Sequence, residues 1–170
     1  LDPLDVEKTI DETTKLISVT HVSNSIGSLQ PIGDIGKIAA ENDVLFMVDA
    51  AQSLGHMKID LKKIYSDFVA FPGHKGLLGP VGTGFLYCRS DVVDKLYPTN
   101  LGGGTVADVS ENDFTLDAVP ARFEGGTPNI AGIIGLGAAV DYIDRIGLPK
   151  IEKHAIKLTK YMFEEISGVE

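Results

Sequence analysis

The chain has 170 residues, of which 44% are hydrophobic and 23% charged, a composition typical of a globular domain rather than of a disordered segment. Its formal net charge of −9 disfavours a general nucleic-acid surface, because phosphate binding requires clustered lysine and arginine. The single cysteine excludes an internal disulfide and is typical of a reducing compartment, and no apolar run approaches the ~20 residues of a membrane helix. We therefore expect a cytoplasmic protein that binds neither nucleic acid nor membrane.

Strand and helix patterns alternate through the first half of the chain. Pro3 lies near the start of a short first helix, and apolar residues 16–19 predict the first strand. Apolar residues at helical spacing over 32–39 then predict a helix, and residues 44–48 predict a second buried strand. A strand, a short helix and a strand form the βαβ unit of a parallel sheet.

Two more strands and the later helices complete the predicted fold. Residues 67–71 and 84–88 predict the third and fourth strands, on either side of a glycine-rich segment. The remaining patterns predict a short helix at 91–96, a loop over 101–124, a long helix from about 129 to 146, and a last helix that Pro149 opens. The fold class is therefore α/β, with a mainly parallel sheet and flanking helices.

Polar side chains follow each of the first three predicted strands. The first strand is followed by His21 and Asn24, the second by Asp49 and Gln52, and the third by His74 and Lys75. Ligands of parallel α/β sheets bind just beyond the carboxyl ends of the strands. The sequence therefore predicts a binding site at this edge of the sheet.

Asp49 and Lys75 each allow two interpretations. Asp49 either caps a following helix or holds a protonated heteroaromatic nitrogen. Lys75, within FPGHKGLLGPVGTG (residues 71–84), is either a solvated turn residue or an amine that forms Schiff bases. The glycines match neither nucleotide-binding fingerprint. An acid after one strand and a lysine after the next is the pairing expected of a pyridoxal phosphate (PLP) site.

Four stretches carry a resemblance to a known family: VTHVSNSIGSLQPI, VDAAQSLGHMKID, DFVAFPGHKGLLGPVGTGFLY and RFEGGTPNIAGIIGLGAAVDYI. Together they resemble the class V aminotransferases among the fold-type I PLP enzymes, and most of all the cysteine desulfurase and selenocysteine lyase branch. The resemblance implies that residues 1–170 are the second half of the PLP-binding large domain. We expect the N-terminal part of that domain and the C-terminal small domain to be absent from this chain.

The resemblance also implies a role for each candidate residue. Lys75 resembles the lysine that forms the Schiff base with PLP and moves the Cα proton. Asp49 resembles the partner of the pyridine nitrogen, Gln52 the donor to the phenolic oxygen, and His74 a ligand of the phosphate. Asn24 resembles the asparagine near the cofactor and the substrate carboxylate.

Two further positions bear on the site that the resemblance implies. Thr127, in EGGTPN, resembles a threonine that reaches the cofactor phosphate of a neighbouring subunit, which implies a homodimer. Pro72 departs from the pattern, because many desulfurases have a phosphate-binding serine two residues before the histidine. That donor is lost here.

The function that the resemblance implies is removal of sulfur from L-cysteine, giving alanine and an enzyme persulfide that a sulfur-acceptor protein could receive. Cys88 lies in a predicted strand, so we expect a core residue there and the nucleophilic cysteine in a segment outside this chain. The four histidines and one cysteine lack metal-ligand spacing, and we predict no metal site. We expect the 170 residues alone to be inactive. The alternatives are another class V enzyme, such as a transaminase or a kynureninase-like enzyme, and a non-catalytic scaffold.

Overall fold

A four-stranded sheet forms the centre of the protein. The computed structural model describes residues 1–169, and its main sheet has the order β1 (Leu16–Thr20), β2 (Leu45–Asp49), β3 (Phe68–Pro72) and β4 (Gly84–Cys88). The first three strands are parallel, and β4 is antiparallel to β3. The predicted α/β fold with a mainly parallel sheet is confirmed.

Two helices near the N-terminus pack against each other. In α1 (Pro3–Thr9), Asp2 caps the first turn by accepting a 2.9 Å hydrogen bond from the backbone N–H of Leu4, and proline occupies a first-turn position that needs no N–H donor. The second helix, α2 (Ile32–Glu41), is amphipathic and buries Ile35 and Ala39 completely. Its apolar side faces the sheet.

The second half of the chain contains one element that the sequence did not indicate. The helix α3 (Ser90–Val93) is followed by an antiparallel hairpin, β5 (Val106–Val109) and β6 (Phe114–Leu116), and by a 3₁₀ turn at Ala121–Phe123. The prediction of a loop over 101–124 is wrong for this hairpin. Its strands are short and mostly exposed, so they lack the alternation of apolar and polar residues that predicts a half-buried strand.

The last two helices differ in how they are anchored. In α4 (Ile130–Ile146) Leu136 and Ile143 are buried, and the Asn129 side chain caps the first turn. In α5 (Leu148–Ile166) none of the described residues is buried. No helix among residues 1–169 combines the length and the hydropathy that a membrane crossing requires.

The two faces of the sheet have different surroundings. The covered face carries Val19, Phe46, Val48 and Val69, which pack with α2 into the hydrophobic core. The open face carries the side chains of the alternate positions, and in the described residues these are mostly exposed or half-buried: Ser18, Met47, Asp49, Ala70 and Leu86. The carboxyl end of β2 therefore presents its acid on the open face.

Candidate active site

Asp49 is the last residue of β2 and lies half-buried on the open face. Its Oδ1 accepts a hydrogen bond of 2.8 Å from the backbone N–H of Ala51, which closes a turn. No helix follows, so Asp49 does not cap one. Its other oxygen has no hydrogen-bond partner among residues 1–169 and remains available to a ligand.

The carboxylate borders a shallow groove of about 680 Å³ on the open face. The groove is lined by residues of all four strands: Ser18, Met47, Asp49, Ala70, Phe71, Pro72, Gly84 and Phe85. Most of these side chains are apolar or small. An ionised group at the edge of such a surface is less well solvated than one in water, so a cationic partner there is favoured.

Backbone hydrogen bonds align the ends of the first three strands. The N–H of His21 donates to the Asp49 carbonyl at 2.9 Å, and the N–H of Ala50 donates to the Ala70 carbonyl at 2.9 Å. The His21 ring belongs to the covered side, where it is buried and its Nδ1 has no partner among the described residues. Burial lowers the pKa of His21, which favours the neutral ring. His21 therefore aligns the strand ends through its backbone.

Lys75 lies on a tight loop just beyond β3. The N–H of Gly73 donates to the Thr83 carbonyl at 2.8 Å, the N–H of Gly79 donates to the Gly73 carbonyl at 2.8 Å, and the N–H of Leu78 donates to the Lys75 carbonyl at 2.9 Å. These bonds fix the backbone on both sides of the lysine. The Lys75 side chain is exposed and makes no hydrogen bond or ion pair with residues 1–169. The side chain is therefore accessible to a ligand.

Helix α4 holds the same loop from a second direction. A Cβ atom on Gly73 would lie 3.0 Å from Leu136 Cδ2 and would overlap Thr83 Oγ1, and one on Gly79 would lie 2.5 Å from Leu136 Cδ1. Leu136 is only 2% exposed, and its side chain packs directly against these two glycines. The loop is thus packed between α4 and the end of the sheet. This long-range support was not predicted, because the sequence pattern identifies Leu136 only as one apolar residue of a helix.

The other candidates at the sheet edge lie on neighbouring segments. His74 is exposed beside Lys75, and Asn24 is exposed in the turn after β1, where its Oδ1 lies 3.4 Å from the Ser25 hydroxyl. Gln52 is half-buried and lines a second cavity of about 480 Å³ rather than the groove of Asp49. That cavity also contains Val22 and Gly27, so the Asn24 turn and the Gln52 turn border the same space.

The turn after β2 and the lysine loop touch directly. A Cβ atom on Gly55 would overlap the backbone of Gly76, and one on Gly76 would overlap the Leu54 carbonyl oxygen. The segment that follows Asp49 therefore lies against the residue that follows Lys75. Backbone contacts thus bring the elements carrying Asn24, Asp49, Gln52, His74 and Lys75 to one edge of the sheet.

Thr127 belongs to the segment before α4. It is exposed, and the adjacent N–H of Gly126 donates to the Gly103 carbonyl at 2.8 Å. Within residues 1–169 it has no described hydrogen bond or packing contact with the other candidate residues. Its neighbours are glycines near the β5–β6 hairpin.

Cys88, the last residue of β4, is half-buried rather than fully enclosed. Its Sγ lies 3.7 Å from the Arg89 carbonyl oxygen. Burial, followed by the negative charges of Asp67 and Asp91, raises the pKa of the thiol. Because the thiolate is the reactive form, this environment disfavours Cys88 as a nucleophile. Within the described range, no cluster of three or more acidic, histidine or cysteine side chains could hold a metal ion.

Comparisons with known proteins agree with this architecture. The family model described as aminotransferase class-V matches residues 1–170. A probable cysteine desulfurase of Methanothermobacter thermautotrophicus is 54% identical over 170 residues, which is all of this chain and 42% of that protein.

Solved structures show the same likeness. The apo structure of cysteine desulfurase from Thermococcus onnurineus is 48% identical with a TM-score of 0.94, and the match covers 98% of this chain and 42% of that one. The cysteine desulfurase CsdA from Escherichia coli, with an S-sulfonic acid, is 30% identical with a TM-score of 0.93 over the same shares.

The chain thus spans about two fifths of the length of these relatives. The family model covers every residue of it, including the strand ends, the glycine loop and the hairpin. The chain belongs to the class V aminotransferase family.

Proposed function

We propose that the full-length protein is a PLP-dependent cysteine desulfurase and that this chain carries the lysine half of its cofactor site. The observation that carries the proposal is the Lys75 amine, unpaired within residues 1–169, on a hydrogen-bonded loop that packs against the turn following Asp49. The cysteine desulfurase name of the similar proteins supports the same activity. The reaction would break the C–S bond of L-cysteine, transfer the sulfur to an enzyme thiol as a persulfide, and release alanine.

The residues present fit the cofactor. PLP offers a ring nitrogen that binds a proton, an aldehyde, a phenolic oxygen and a phosphate. Asp49 has one oxygen free for the protonated nitrogen, and Lys75 has a free amine for the aldehyde. Glycines on both sides of Lys75 let the loop backbone pack closely against the turn after β2 and against α4. Gln52, on the turn that follows Asp49, would donate to the phenolic oxygen, and His74, beside Lys75, would donate to the phosphate.

The charge of Asp49 explains its proposed role. A carboxylate beside the ring nitrogen favours the protonated ring, because an opposite charge within about 4–6 Å stabilises the charged form. When bound, PLP supplies an acceptor for the electrons released as the substrate Cα–H bond breaks. Asp49 would maintain that property by holding the ring nitrogen in its protonated form.

Lys75 is the proposed acid and base. Its Nζ would serve as the base that takes the substrate Cα proton, and general-base catalysis of this kind contributes about 10²–10⁴-fold. The hydrogen bonds around Gly73 and Gly79 hold its backbone in place, so the amine is positioned by the loop. The residue therefore both anchors the cofactor and moves the proton.

Three further assignments belong to the proposal. Asn24, exposed after β1, would contact the substrate carboxylate and the cofactor. Thr127, which is exposed, would reach the cofactor phosphate of a second subunit in a homodimer. An acceptor protein would receive the persulfide sulfur, and the lone cysteine supports a cytoplasmic location.

The thiol that attacks sulfur is not assigned to Cys88. Its half-buried place in β4 and its raised pKa disfavour the thiolate that the reaction needs. We place this thiol elsewhere in the full-length protein, and the present chain in the second half of the PLP-binding large domain. The catalytic apparatus would then be shared between this chain and the rest of the polypeptide.

The test is alanine production from L-cysteine by the full-length protein with PLP. Lys75→Ala should lower kcat by at least about 10³-fold while the protein stays folded, because it removes both the Schiff base and the proton carrier. Lys62→Ala, an exposed lysine outside the site, is the matched control and should leave the rate unchanged. Undiminished alanine production by Lys75→Ala, or transamination without sulfur release by the wild type, would contradict the proposal.

A further inference from the structure

Two glycines let the turn after β2 and the lysine loop approach each other to backbone contact. A Cβ atom on Gly55 would lie 2.8 Å from the Leu77 nitrogen and would overlap the Gly76 carbonyl group. A Cβ atom on Gly76 would overlap the Leu54 carbonyl oxygen. Cβ atoms are essentially never found this close to backbone atoms, so both positions require glycine.

The contact joins the two segments that carry the proposed cofactor anchors. Gly76 directly follows Lys75, and the turn containing Gly55 starts at Asp49 and carries Gln52. Any displacement of one backbone at this point therefore moves the amine relative to the acid. The other contacts of the loop leave little freedom elsewhere, since Leu136 packs against Gly73 and Gly79.

His56 completes the contact from the side. Its ring atoms Cδ2 and Nε2 would lie 3.0 and 3.2 Å from a Cβ atom on Gly76, so the imidazole rests on the backbone beside Lys75. The side chain is exposed, which means that the ring can be removed without opening the core. It also lines the cavity that contains Gln52.

We propose that the Gly55–Gly76 backbone contact, supported by His56, positions Lys75 relative to Asp49 and so sets the protonation behaviour and the affinity of the cofactor site. The inference rests on the proposed function, because it concerns the same lysine. It adds residues that touch no substrate and act through the loop. They are positioning residues.

The direct probe is Gly76→Ala in full-length holoenzyme. Gly76 does not have the positive φ that would strain alanine, so the substitution acts through the overlap with Leu54. We expect the pH midpoint of the visible absorbance band of lysine-bound PLP to shift by about half a pH unit, as a displacement of about 1 Å between nearby charges would produce. The Kd for PLP should rise by about tenfold, which corresponds to about 1.4 kcal/mol.

A matched control is Gly103→Ala. Gly103 is a loop glycine without positive φ, and a Cβ atom there would meet no atom within 4 Å. The control should retain the wild-type midpoint and the wild-type Kd. Equal shifts in both variants would overturn the inference, because the effect would then not depend on the contact.

His56→Ala provides a second variant that leaves the main chain untouched. We expect a smaller shift of the same midpoint. If Gly76→Ala does not fold, the shift in His56→Ala is the test of the proposed positioning role. Unchanged midpoints and PLP affinities in the folded variants would overturn the inference. Its failure is distinguishable from failure of the proposed function, in which the wild-type protein itself would show no lysine-bound band.

Discussion

The covered and open faces of the sheet differ in what their side chains do. On the covered face, Phe46 and Val48 are fully buried against α2, and buried residues such as Ile35 interlock with them. On the open face, the neighbouring positions Met47 and Asp49 are only half-buried and border a groove. The same strand thus contributes stability with one set of alternate residues and a candidate catalytic group with the other.

This difference separates two kinds of buried or half-buried polar group. Asp67 and His21 lie on the covered side and serve the fold, whereas Asp49 has an oxygen left over for a ligand. Polar groups that complete the fold have partners within it or lose charge through burial. A carboxylate at a strand end that keeps one oxygen without a hydrogen-bond partner is the better candidate for ligand binding.

The largest expected effect is at the centre of the covered face. Phe46→Ala in the full-length protein should reduce the free energy of unfolding by about 3–5 kcal/mol, because the ring is fully buried and its removal leaves a cavity. Urea unfolding followed by circular dichroism measures the change. Ser18→Ala, an exposed open-face position in the adjacent strand, is the control and should cost less than about 0.5 kcal/mol. Equal losses in both variants would contradict the distinction between the faces.

A smaller effect is expected at the buried acid before β3. Asp67 Oδ2 accepts a 2.7 Å hydrogen bond from the Phe46 N–H, and Oδ1 lies 2.8 Å from an Arg89 nitrogen in an ion pair without hydrogen-bond alignment. The acid side chain is 5% exposed and the arginine 46%. Solvent therefore screens the charge pair, and the backbone hydrogen bond is the larger contribution.

Asp67→Ala should accordingly destabilise the full-length protein by about 2–3 kcal/mol, since it leaves a buried N–H without its acceptor. Denaturant midpoints measure the loss. Asp91→Ala is a matched control, because Asp91 pairs with the same arginine from an exposed position. No resolvable change is expected there. If the two variants were equally destabilised, the ion pair rather than the backbone hydrogen bond would be the source of stability.

The smallest effect concerns pH. Burial lowers the pKa of His21 below its ordinary 6.5, so the unfolded chain binds a proton at this residue more readily than the folded protein does. The stability that this difference contributes is complete above pH 6.5 and declines as the pH falls from there towards the folded pKa. The charged residues that line the same cavity are Lys58, Asp60 and Lys63.

His21→Gln should flatten the decline of the melting temperature below about pH 6.5. Melting curves of the full-length protein between pH 5 and 8 give the slope. His154→Gln, an exposed position on α5, should keep the wild-type slope. A steeper decline in His21→Gln would mean that the protonated ring stabilises the fold.

The sheet was predictable because its strands are short, continuous apolar runs with turn residues at both ends. Residues 44–48 predict a strand that the structure places at Leu45–Asp49, and Asp49 follows from its position after that run. The β5–β6 hairpin was missed because its mostly exposed residues show no buried face. The hydrophobic pattern of a sequence reveals a strand when one face of that strand is buried. The strands β5 and β6 bury too little of their side chains to produce such a pattern.

The candidate residues were predictable as positions at strand ends, but their surroundings were not. The sequence places Lys75 among glycines without indicating that Gly55 and Leu136 would contact them, because those contacts join distant segments. Likewise, it gave no sign that Gln52 would face a different cavity from Asp49. The spacing of residues along the chain predicts which side chains follow each strand. Tertiary packing determines which of those side chains line the same cavity.

The central claim is that Lys75 is the lysine to which the cofactor is attached. Reduction of the PLP-loaded full-length protein with borohydride, followed by peptide mass spectrometry, identifies the modified residue directly. We expect the pyridoxyl adduct on the peptide that contains Lys75, in wild-type protein and in the folded Lys62→Ala control. A folded protein that binds PLP but carries the adduct on a different lysine, or carries none, would contradict it.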